Sequence, residues 1–399
     1  MDKSVLILGS GITGVTAASS LAQLGHQVYL VEKARTLGGK LLELGFVYPT
    51  DDCSLCHESA SYCHGFDSHR KCQYRSFIPH LPGLEFLPGS TLVNMDIGGK
   101  DNKIKVEIVQ ETQYIEPSKC IACGACARAC PEGGITLSHP QNIPKTYVLD
   151  PERCNTSKCK KECLDACKEL GAIDLDAKPR SVTINAGAML VATGFDEKCP
   201  PSIDKNYAWS SSDRVVSQLE LGKMLDPIKG KKEFLKQEIK NVVIIQCAGS
   251  RDQRLKPECS TLCCSYALKH ALKLKELDID VIVAYMDIRT LGVMEEYFNR
   301  ARKAGIKFIR GHPSSVQIDE NGMPRIDLED TYTSEFKSLK TDLVVLSNPL
   351  ELVKNDLLQK QAEASNSHVF FLNDELRNIP QSTRAAKSAA LEIHQILRG

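Results

Sequence analysis

Cysteine is the residue type that most directly suggests chemistry in this 399-residue chain, which contains 17 of them. Twelve lie between Cys53 and Cys167, and four more lie between Cys247 and Cys264. An odd number of thiols in a reducing compartment does not form a disulfide framework, so metal binding, catalysis or burial must explain them. Because thiolates are soft ligands that zinc and iron–sulfur clusters favour, this clustering predicts metal sites.

The most specific group is a CxxCxxCxxxCP run formed by Cys120, Cys123, Cys126, Cys130 and Pro131. This is the run of the bacterial ferredoxins. Three closely spaced thiolates can wrap one corner of a four-iron cubane, while the fourth reaches a neighbouring cluster. The run therefore predicts a 4Fe-4S site, and it fits a structural zinc site poorly.

A second group has wider gaps, CxxxxCxxxCxxxC, and ends at Lys168, where the usual second ferredoxin run has proline. Its members are Cys154, Cys159, Cys163 and Cys167. The crossed ligation of two-cluster ferredoxins implies one cluster on Cys120, Cys123, Cys126 and Cys167. It implies the other on Cys130, Cys154, Cys159 and Cys163. The wider spacing leaves the type of the second cluster open.

The third group comprises Cys247, Cys259, Cys263 and Cys264, at the turn that enters a predicted helix. The adjacent pair would be strained as a disulfide and unusual for zinc. Four thiolates within 18 residues could instead hold an iron–sulfur cluster, with buried structural cysteines as the less favoured alternative.

A glycine-rich turn near the N-terminus predicts a dinucleotide site. Gly9, Gly11 and Gly14 form GxGxxG between an aliphatic strand pattern and a helix pattern. The first glycine permits the tight turn, the second lets a pyrophosphate approach the backbone, and the third lets helix and strand pack. Glu32, followed by Lys33, ends the next strand pattern and can accept hydrogen bonds from ribose hydroxyls.

Three further patterns favour FAD over NAD, because they resemble those of flavoproteins with two dinucleotide-binding folds, in which FAD is bound first. They are Gly38-Gly39, Thr193-Gly194 after a strand, and Asp374 at the end of another strand. In that class the terminal Asp contacts the ribityl or phosphate groups of the flavin. The alternative for Asp374 is an N-terminal cap of the last helix.

A fourth cysteine group is interleaved with histidines and has irregular gaps: Cys53, Cys56, Cys63 and Cys72. It could form a further iron–sulfur cluster, bind zinc, or place one or two thiols beside the flavin as redox partners. Cys199, which has no close cysteine neighbours and precedes two prolines, is predicted to be a free thiol.

The order of strand and helix patterns predicts an α/β flavoprotein with two dinucleotide-binding domains, resembling thioredoxin and glutathione reductases, and an inserted ferredoxin-like module. Because the cysteine-rich stretch is poor in large apolar side chains, we expect its folding to depend on its metal ligands. The predicted boundaries are 1–117, 179–240 and 341–399 for the FAD-binding domain with its linker, 118–178 for the inserted module and 241–340 for the second Rossmann-like domain.

Composition excludes several other classes of function. The 50 basic and 50 acidic residues give no net charge that would attract a nucleic-acid backbone. The apolar runs are of strand length, the N-terminus has no signal-peptide pattern, and no Walker, GxSxG or HExxH motif is present. We therefore expect a cytoplasmic protein that does not span a membrane, with no visible apparatus for hydrolysis or phosphoryl transfer.

The combination of an FAD fingerprint, an inserted ferredoxin module and the stretch Val243–Asp252 followed by the third cysteine group resembles the A-subunit family of heterodisulfide reductases. Tyr285–Arg289 and Gly311 also match that family. The resemblance implies that the third cysteine group binds a cluster beside the flavin. The methanogen-type members carry extra cluster modules that have no counterpart in this sequence, so we expect it to be closer to shorter relatives. These are the flavin subunits of the quinone-interacting membrane-bound oxidoreductase and of the class II benzoyl-CoA reductase complex.

The resemblance implies an FAD and iron–sulfur electron-transfer subunit of an anaerobic complex, with three or four 4Fe-4S clusters, which relays or bifurcates electrons between partner subunits. The implied partners are heterodisulfide reductase B/C-like iron–sulfur subunits and an electron donor subunit, and a homodimer is also implied. The alternative is a self-contained NAD(P)H-dependent reductase of the glutamate synthase small-subunit type. The turn after Ile245 argues against it, because it has one glycine and no second fingerprint. A non-enzymatic scaffold is the third interpretation.

Overall fold

The computed structural model describes residues 3–42, 46–47, 52–53, 81–97, 104–137, 146–154, 159–225, 234, 238–290, 295–363 and 368–398. These residues fall into two compact units. The first comprises Met1–Leu42, Asp52–Gly194 and Val353–Gly399, and the second comprises Glu43–Asp51 and Phe195–Leu352. The FAD fingerprint and the ferredoxin-like runs lie in the first unit, and the third cysteine group lies in the second.

The described strands, in chain order, are β1 (Ser4–Leu8), β2 (Gln27–Val31), β3 (Phe46–Val47), β4 (Asp52–Cys53), β5 (Leu84–Leu87), β6 (Ser90–Ile97), β7 (Ile104–Gln110), β8 (Ile135–Leu137), β9 (Tyr147–Leu149), β10 (Arg180–Ala186), β11 (Ala188–Val191), β12 (Phe195–Glu197), β13 (Val215–Ser217), β14 (Asn241–Ile245), β15 (Asp280–Tyr285), β16 (Lys307–Arg310), β17 (Val316–Ile318), β18 (Pro324–Asp330), β19 (Glu335–Lys340), β20 (Leu343–Leu346), β21 (Leu350–Leu352) and β22 (Val369–Phe371).

The described α-helices are α1 (Ile12–Gln23), α2 (Ala125–Ala129), α3 (Glu162–Ala166), α4 (Pro201–Tyr207), α5 (Gln218–Met224), α6 (Cys263–Lys275), α7 (Glu295–Lys303), α8 (Asp356–Glu363) and α9 (Ile379–Arg398). A 3-10 turn covers Gly39–Leu42. No helix in the described part of the chain is long and apolar enough to cross a bilayer.

The first unit is built on a parallel five-stranded sheet with the order β22-β11-β1-β2-β5. The central strand β1 is buried on both faces, which explains its continuous aliphatic sequence. Because side chains alternate along a strand, Val5 and Ile7 pack in one core with α1 and α9, while Leu6 and Leu8 pack in another. That second core also includes strands β7 and β10 of an antiparallel sheet, order β10-β7-β6.

The cysteine-rich segment of the first unit has little regular structure: the hairpin of β8 and β9, and the five-residue helices α2 and α3. Its small core combines Ile115, Ile135 and Leu149 with the cysteines Cys126 and Cys163. A core with so few aliphatic side chains buries little apolar surface, so sulfur ligation is expected to supply much of its stability.

The second unit repeats the architecture with a parallel sheet of order β13-β20-β14-β15-β16. Val242 and Ile244 of β14 pack with α6 in one core, and Val243 and Ile245 pack in the core on the other face. A three-stranded antiparallel sheet, β17-β18-β19, contributes to the latter core. The strand order reverses between β14 and β20, so the carboxyl end of β14 is at the switch point where α/β sheets place functional loops.

Candidate functional site

The turn from β1 to α1 has room only for glycine at two positions. Gly9 has a φ of +99°, and a Cβ there would lie 2.4 Å from the backbone oxygen of Ala192. A Cβ on Gly14 would lie 1.8 Å from the backbone oxygen of Gly9. The first and third glycines therefore let the turn pack against the neighbouring strand and let α1 pack against the turn, as the fingerprint predicts.

Gly11 differs from its neighbours because a Cβ there would meet nothing within 4 Å. It is the N-cap of α1, it provides no side-chain cap, and the first turn contains no acidic residue. The second glycine pair packs close by: Gly38 donates its N–H to the Ser10 oxygen at 3.0 Å, and a Cβ on Gly39 would lie 3.0 Å from the Gly11 Cα. An open helix start with free N–H groups fits the pyrophosphate of a dinucleotide.

Glu32 lies at the same turn, where its carboxylate already accepts three hydrogen bonds. Its Oε2 accepts from the Ser10 N–H and the Ser10 hydroxyl, each at 2.7 Å, and its Oε1 accepts from the Ala34 N–H at 2.8 Å. A carboxylate has about four lone-pair positions, so about one remains for a ribose hydroxyl. Lys33 follows with an exposed side chain.

The ends of β11 and β22 are joined by a hydrogen-bonded group at Thr193 and Asn373. The Thr193 hydroxyl donates to the Val353 oxygen at 2.6 Å, and the Asn373 amide donates to Thr193 Oγ1 at 2.9 Å. Gly194 follows with a φ of +72° and open space at its Cβ position. These contacts explain Asn373, which stands where the flavoprotein pattern has glycine.

Asp374 does not cap the last helix. Asn378 does so, because its side-chain oxygen accepts from the Gln381 N–H at 2.9 Å and Gln381 returns a bond of the same length. Asp374 instead pairs with Arg377 at 2.8 Å. Burial alone would raise its pKa, but the hydrogen bond from Arg377 holds the pKa of Asp374 below its ordinary value. An ionised carboxylate at the end of β22 is compatible with the flavin role that the sequence suggests.

In the ferredoxin-like segment, the structure brings together the cysteines predicted for the first cluster. Burial raises the pKa of the Cys126 thiol to about 11, and the nearby thiols of Cys120, Cys167 and Cys123 raise it further. Cys126 is buried, whereas Cys123 is exposed. The set includes Cys167, which is remote in sequence from the other three, and it omits Cys130.

The cysteines predicted for the second cluster form a separate set around a cavity lined by Cys130, Cys154, Cys159 and Cys163 together with apolar side chains. Burial raises the pKa of Cys154 and Cys163, and Cys130 and Cys159 add to both effects. Thiols whose pKa is raised by burial and mutual repulsion become stable thiolates when iron compensates their charge, so both sets fit clusters.

Single substitutions test the crossed arrangement of these two sets. Cys126→Ala and Cys163→Ala should each remove about four irons per chain, because each loses one ligand of a different four-iron cluster. Cys167→Ala should abolish the same electron paramagnetic resonance (EPR) signal as Cys126→Ala. If it abolished the signal lost in Cys163→Ala instead, the crossed arrangement would be wrong.

The third cysteine group is assembled at the carboxyl end of β14. Cys247 has a φ of +59° in the loop after this strand, and Cys263 and Cys264 begin α6. All three are buried, whereas Cys259 is half-buried. Burial raises the pKa of Cys247 to about 11, and Cys264 and Cys259 contribute to the shift. The four sulfurs therefore share one site, which fits a cluster held by all four.

Cys263 and Cys264 form an unequal pair in this site. The Cys263 thiol donates to the Cys264 sulfur, which lowers the pKa of Cys264 and raises that of Cys263. The Arg289 N–H also donates to the Cys264 sulfur at 3.4 Å. Across the described residues, no group of three or more His, Cys, Asp or Glu side chains is arranged to chelate a single metal ion. The observation that supports the three ligand sets is thus the electrostatic coupling within each set.

The remaining cysteines are placed differently. In the fourth group, Cys56, Cys63 and Cys72 lie outside the described residues, and Cys53 is described only in its backbone, at the end of β4. The metal site predicted there stays a prediction. Cys199 is half-buried, and burial raises its pKa to about 12, which is consistent with an unreactive thiol.

Sequence reasoning missed two sets of polar residues at these sites. Ser10 and Asn373 hold the FAD-site turn and strand ends, and Arg251, Asp287 and Arg289 border the third cysteine group. The only signal for the second set is that these residues occur in the two stretches that carry the family resemblance.

Comparisons with known proteins agree with both kinds of site. The FAD dependent oxidoreductase family matches residues 4–61, and the 4Fe-4S dicluster domain family matches residues 119–178. The Lactococcus lactis thioredoxin reductase structure aligns over 99% of both chains with a TM-score of 0.55 and 12% identity. The T. acidophilum thioredoxin reductase structure aligns over the full length of both chains with a TM-score of 0.51 and 13% identity. The predicted fold class is confirmed: the chain is an FAD and iron–sulfur oxidoreductase on a two-domain flavoprotein fold.

Sequence relatives define the family more closely. The A-type iron–sulfur subunit of the Methanocaldococcus jannaschii CoB–CoM heterodisulfide reductase is 34% identical over 372 residues, which cover 87% of this chain and 53% of the relative. The A-type subunit of the Methanococcus maripaludis H(2)/formate:CoB-CoM heterodisulfide,ferredoxin reductase is 32% identical over 385 residues, 89% of this chain and 55% of the relative. The chain therefore belongs to the A-subunit family of heterodisulfide reductases. It spans about half the length of these relatives.

Proposed function

We propose that this chain is the electron-transfer subunit of a multi-subunit anaerobic oxidoreductase complex, in which it relays electrons between partner subunits. The observation that carries the proposal is that one chain holds an FAD cradle and three separate sets of four cysteines. When bound, FAD exchanges electron pairs and 4Fe-4S clusters exchange single electrons, so a chain with both can connect two-electron and one-electron partners.

The chain's own residues bind, orient and shield these groups. The N–H groups that follow Gly11 hold the pyrophosphate, and Glu32 accepts a hydrogen bond from the ribose. Thr193 and Asn373 fix the strand ends beside Gly194, and Asp374 contacts the flavin's ribityl or phosphate groups. The buried positions of Cys126, Cys163, Cys247, Cys263 and Cys264 keep water away from the sulfurs.

The partners follow from the names of the relatives, which are A-type components of heterodisulfide reductases. We infer that the partners are heterodisulfide reductase B/C-like iron–sulfur subunits and an electron donor subunit, and that the chain assembles in the form of a homodimer. The number of clusters is three, or four if the Cys53 group also binds one. Bifurcation of the flavin's electron pair and a cytoplasmic location, where the thiols stay reduced, complete the proposal.

The loop after β14 makes a self-contained NAD(P)H reductase the weaker candidate. A dinucleotide fingerprint joins strand to helix within a few residues, but here residues 246–262 separate β14 from α6. That loop and the first turn of α6 hold the third cysteine set.

Anaerobic reduction of the full chain distinguishes the two candidates. Neither NADH nor NADPH should bleach the flavin absorbance within the dead time of a rapid-mixing experiment, whereas dithionite with a one-electron mediator should bleach it. Addition of B/C-like partner subunits should then allow reoxidation by their disulfide substrate. Rapid bleaching by NADH or NADPH alone would favour the self-contained reductase.

A further inference from the structure

Three charged side chains border the third cysteine set and have no part in holding it. Arg251 lies in the loop after β14 with a φ of +59°, and Asp287 and Arg289 follow β15. Asp287 Oδ2 lies 3.0 Å from Arg289 Nε and 3.7 Å from Arg251 Nη1. The carboxylate therefore connects two guanidinium groups that come from different loops.

Both arginines approach the sulfurs from their own side. A hydrogen bond and the positive charge of Arg251 act on Cys247, opposing the burial that raises the pKa of this thiol. Arg289 interacts through its side chain with Cys259, and its backbone N–H donates to the Cys264 sulfur at 3.4 Å. The Cys264 sulfur also lies 3.9 Å from the Asp287 backbone oxygen.

Their burial makes these charges effective. The Arg251 side chain is only 25% exposed, and its Nη1 is buried without a hydrogen-bond partner among the described residues. Arg289 and Asp287 are about half exposed, at 48% and 50%. Charges screened by protein rather than water interact more strongly, so Arg251 is expected to have the larger influence on the site.

We propose that Arg251, Asp287 and Arg289 form a charge bridge that sets the reduction potential of the cluster held by Cys247, Cys259, Cys263 and Cys264. The inference rests on the proposed function, because it requires that these cysteines hold a cluster. One-electron reduction adds one negative charge to the cluster and forms or breaks no bond. The two arginines stabilise the reduced state, and Asp287 opposes them while it holds both in place.

The sign of the effect differs among the three residues, which separates an electrostatic role from a structural one. Loss of either positive charge should lower the potential of this cluster, and loss of the negative charge should raise it. Lysine in place of either arginine keeps the charge and should retain most of the potential, although it cannot reproduce the guanidinium geometry.

Redox titration of the full chain, followed by EPR, measures this directly. Arg251→Gln and Arg289→Gln should each reduce the one-electron reduction constant of the third cluster about tenfold, a shift of about 59 mV. Asp287→Asn should shift the potential in the opposite direction. Arg254→Gln is the matched control, because Arg254 lies in the same loop, is 87% exposed and pairs with Asp252 at 2.9 Å. It should leave the potential unchanged.

Iron content is measured on every variant. Unchanged potentials in Arg251→Gln, Arg289→Gln and Asp287→Asn at full iron content would overturn the charge bridge and leave the proposed function intact. Shifts of the same sign in all three would also overturn it, because a structural disturbance does not follow the sign of the charge. If a glutamine variant lost iron, the Asp287→Asn and lysine variants would decide. If the unaltered chain held no third cluster, the charge bridge and the cluster assignment would both fall.

Discussion

Cys263→Ala is expected to remove about four irons and the matching sulfide from each chain while leaving FAD bound in full. Cys263 is 3% exposed at the start of α6 and couples electrostatically to the other three sulfurs of its set. Alanine leaves three thiolates, which cannot complete a cubane with four cysteine ligands. The FAD cradle consists of residues in the first unit, so its occupancy should not change.

Cys199→Ala is the control for this prediction. Cys199 lies in the same unit as Cys263, is half-buried, and has no cysteine among the groups that shift its pKa. The control should keep the full iron and FAD content. Equal iron contents in Cys263→Ala and in the unaltered chain would rule out a cluster on the third cysteine set.

Gly11→Val is expected to abolish FAD binding without unfolding the chain. The Gly11 backbone is in the extended region, and a Cβ there contacts nothing within 4 Å, so the fold tolerates the side chain. The same side chain would occupy the space where a pyrophosphate must approach the N–H groups of α1. We expect at least a tenfold loss of FAD per chain, measured after anaerobic purification.

The iron content and melting temperature of Gly11→Val serve as its internal controls, and both should stay close to those of the unaltered chain. Gly14→Val provides the contrast, because its Cβ would lie 1.8 Å from a backbone oxygen and should destabilise the first unit as well. Full FAD occupancy in Gly11→Val would contradict the proposed position of the pyrophosphate.

Features that depend on local spacing could be predicted from the sequence. The glycines of the first turn, the strand patterns of β1 and β14 and the CxxCxxCxxxCP run each specify geometry over a few residues. The grouping of Cys167 with Cys126 could also be anticipated, because crossed ligation is a property of the two-cluster ferredoxin pattern.

Contacts between remote segments could not be predicted in the same way. Asp287 meets Arg251 only because β14 and β15 are neighbours in the sheet, which brings the loops after them together. Asn373 meets Thr193 through the pairing of β11 with β22, and its departure from glycine gave no hint of this bond. A tertiary contact of this kind depends on register and strand order, which a single sequence does not specify.

Iron, sulfide, zinc and FAD per chain, measured after purification without oxygen and followed by EPR during a stepwise reductive titration, test the central claim most directly. The account predicts one FAD and about twelve to sixteen irons, which correspond to three or four 4Fe-4S clusters that accept electrons one at a time. About eight irons together with bound zinc would contradict it, because only the ferredoxin-like segment would then conduct electrons and the third cysteine set would be structural.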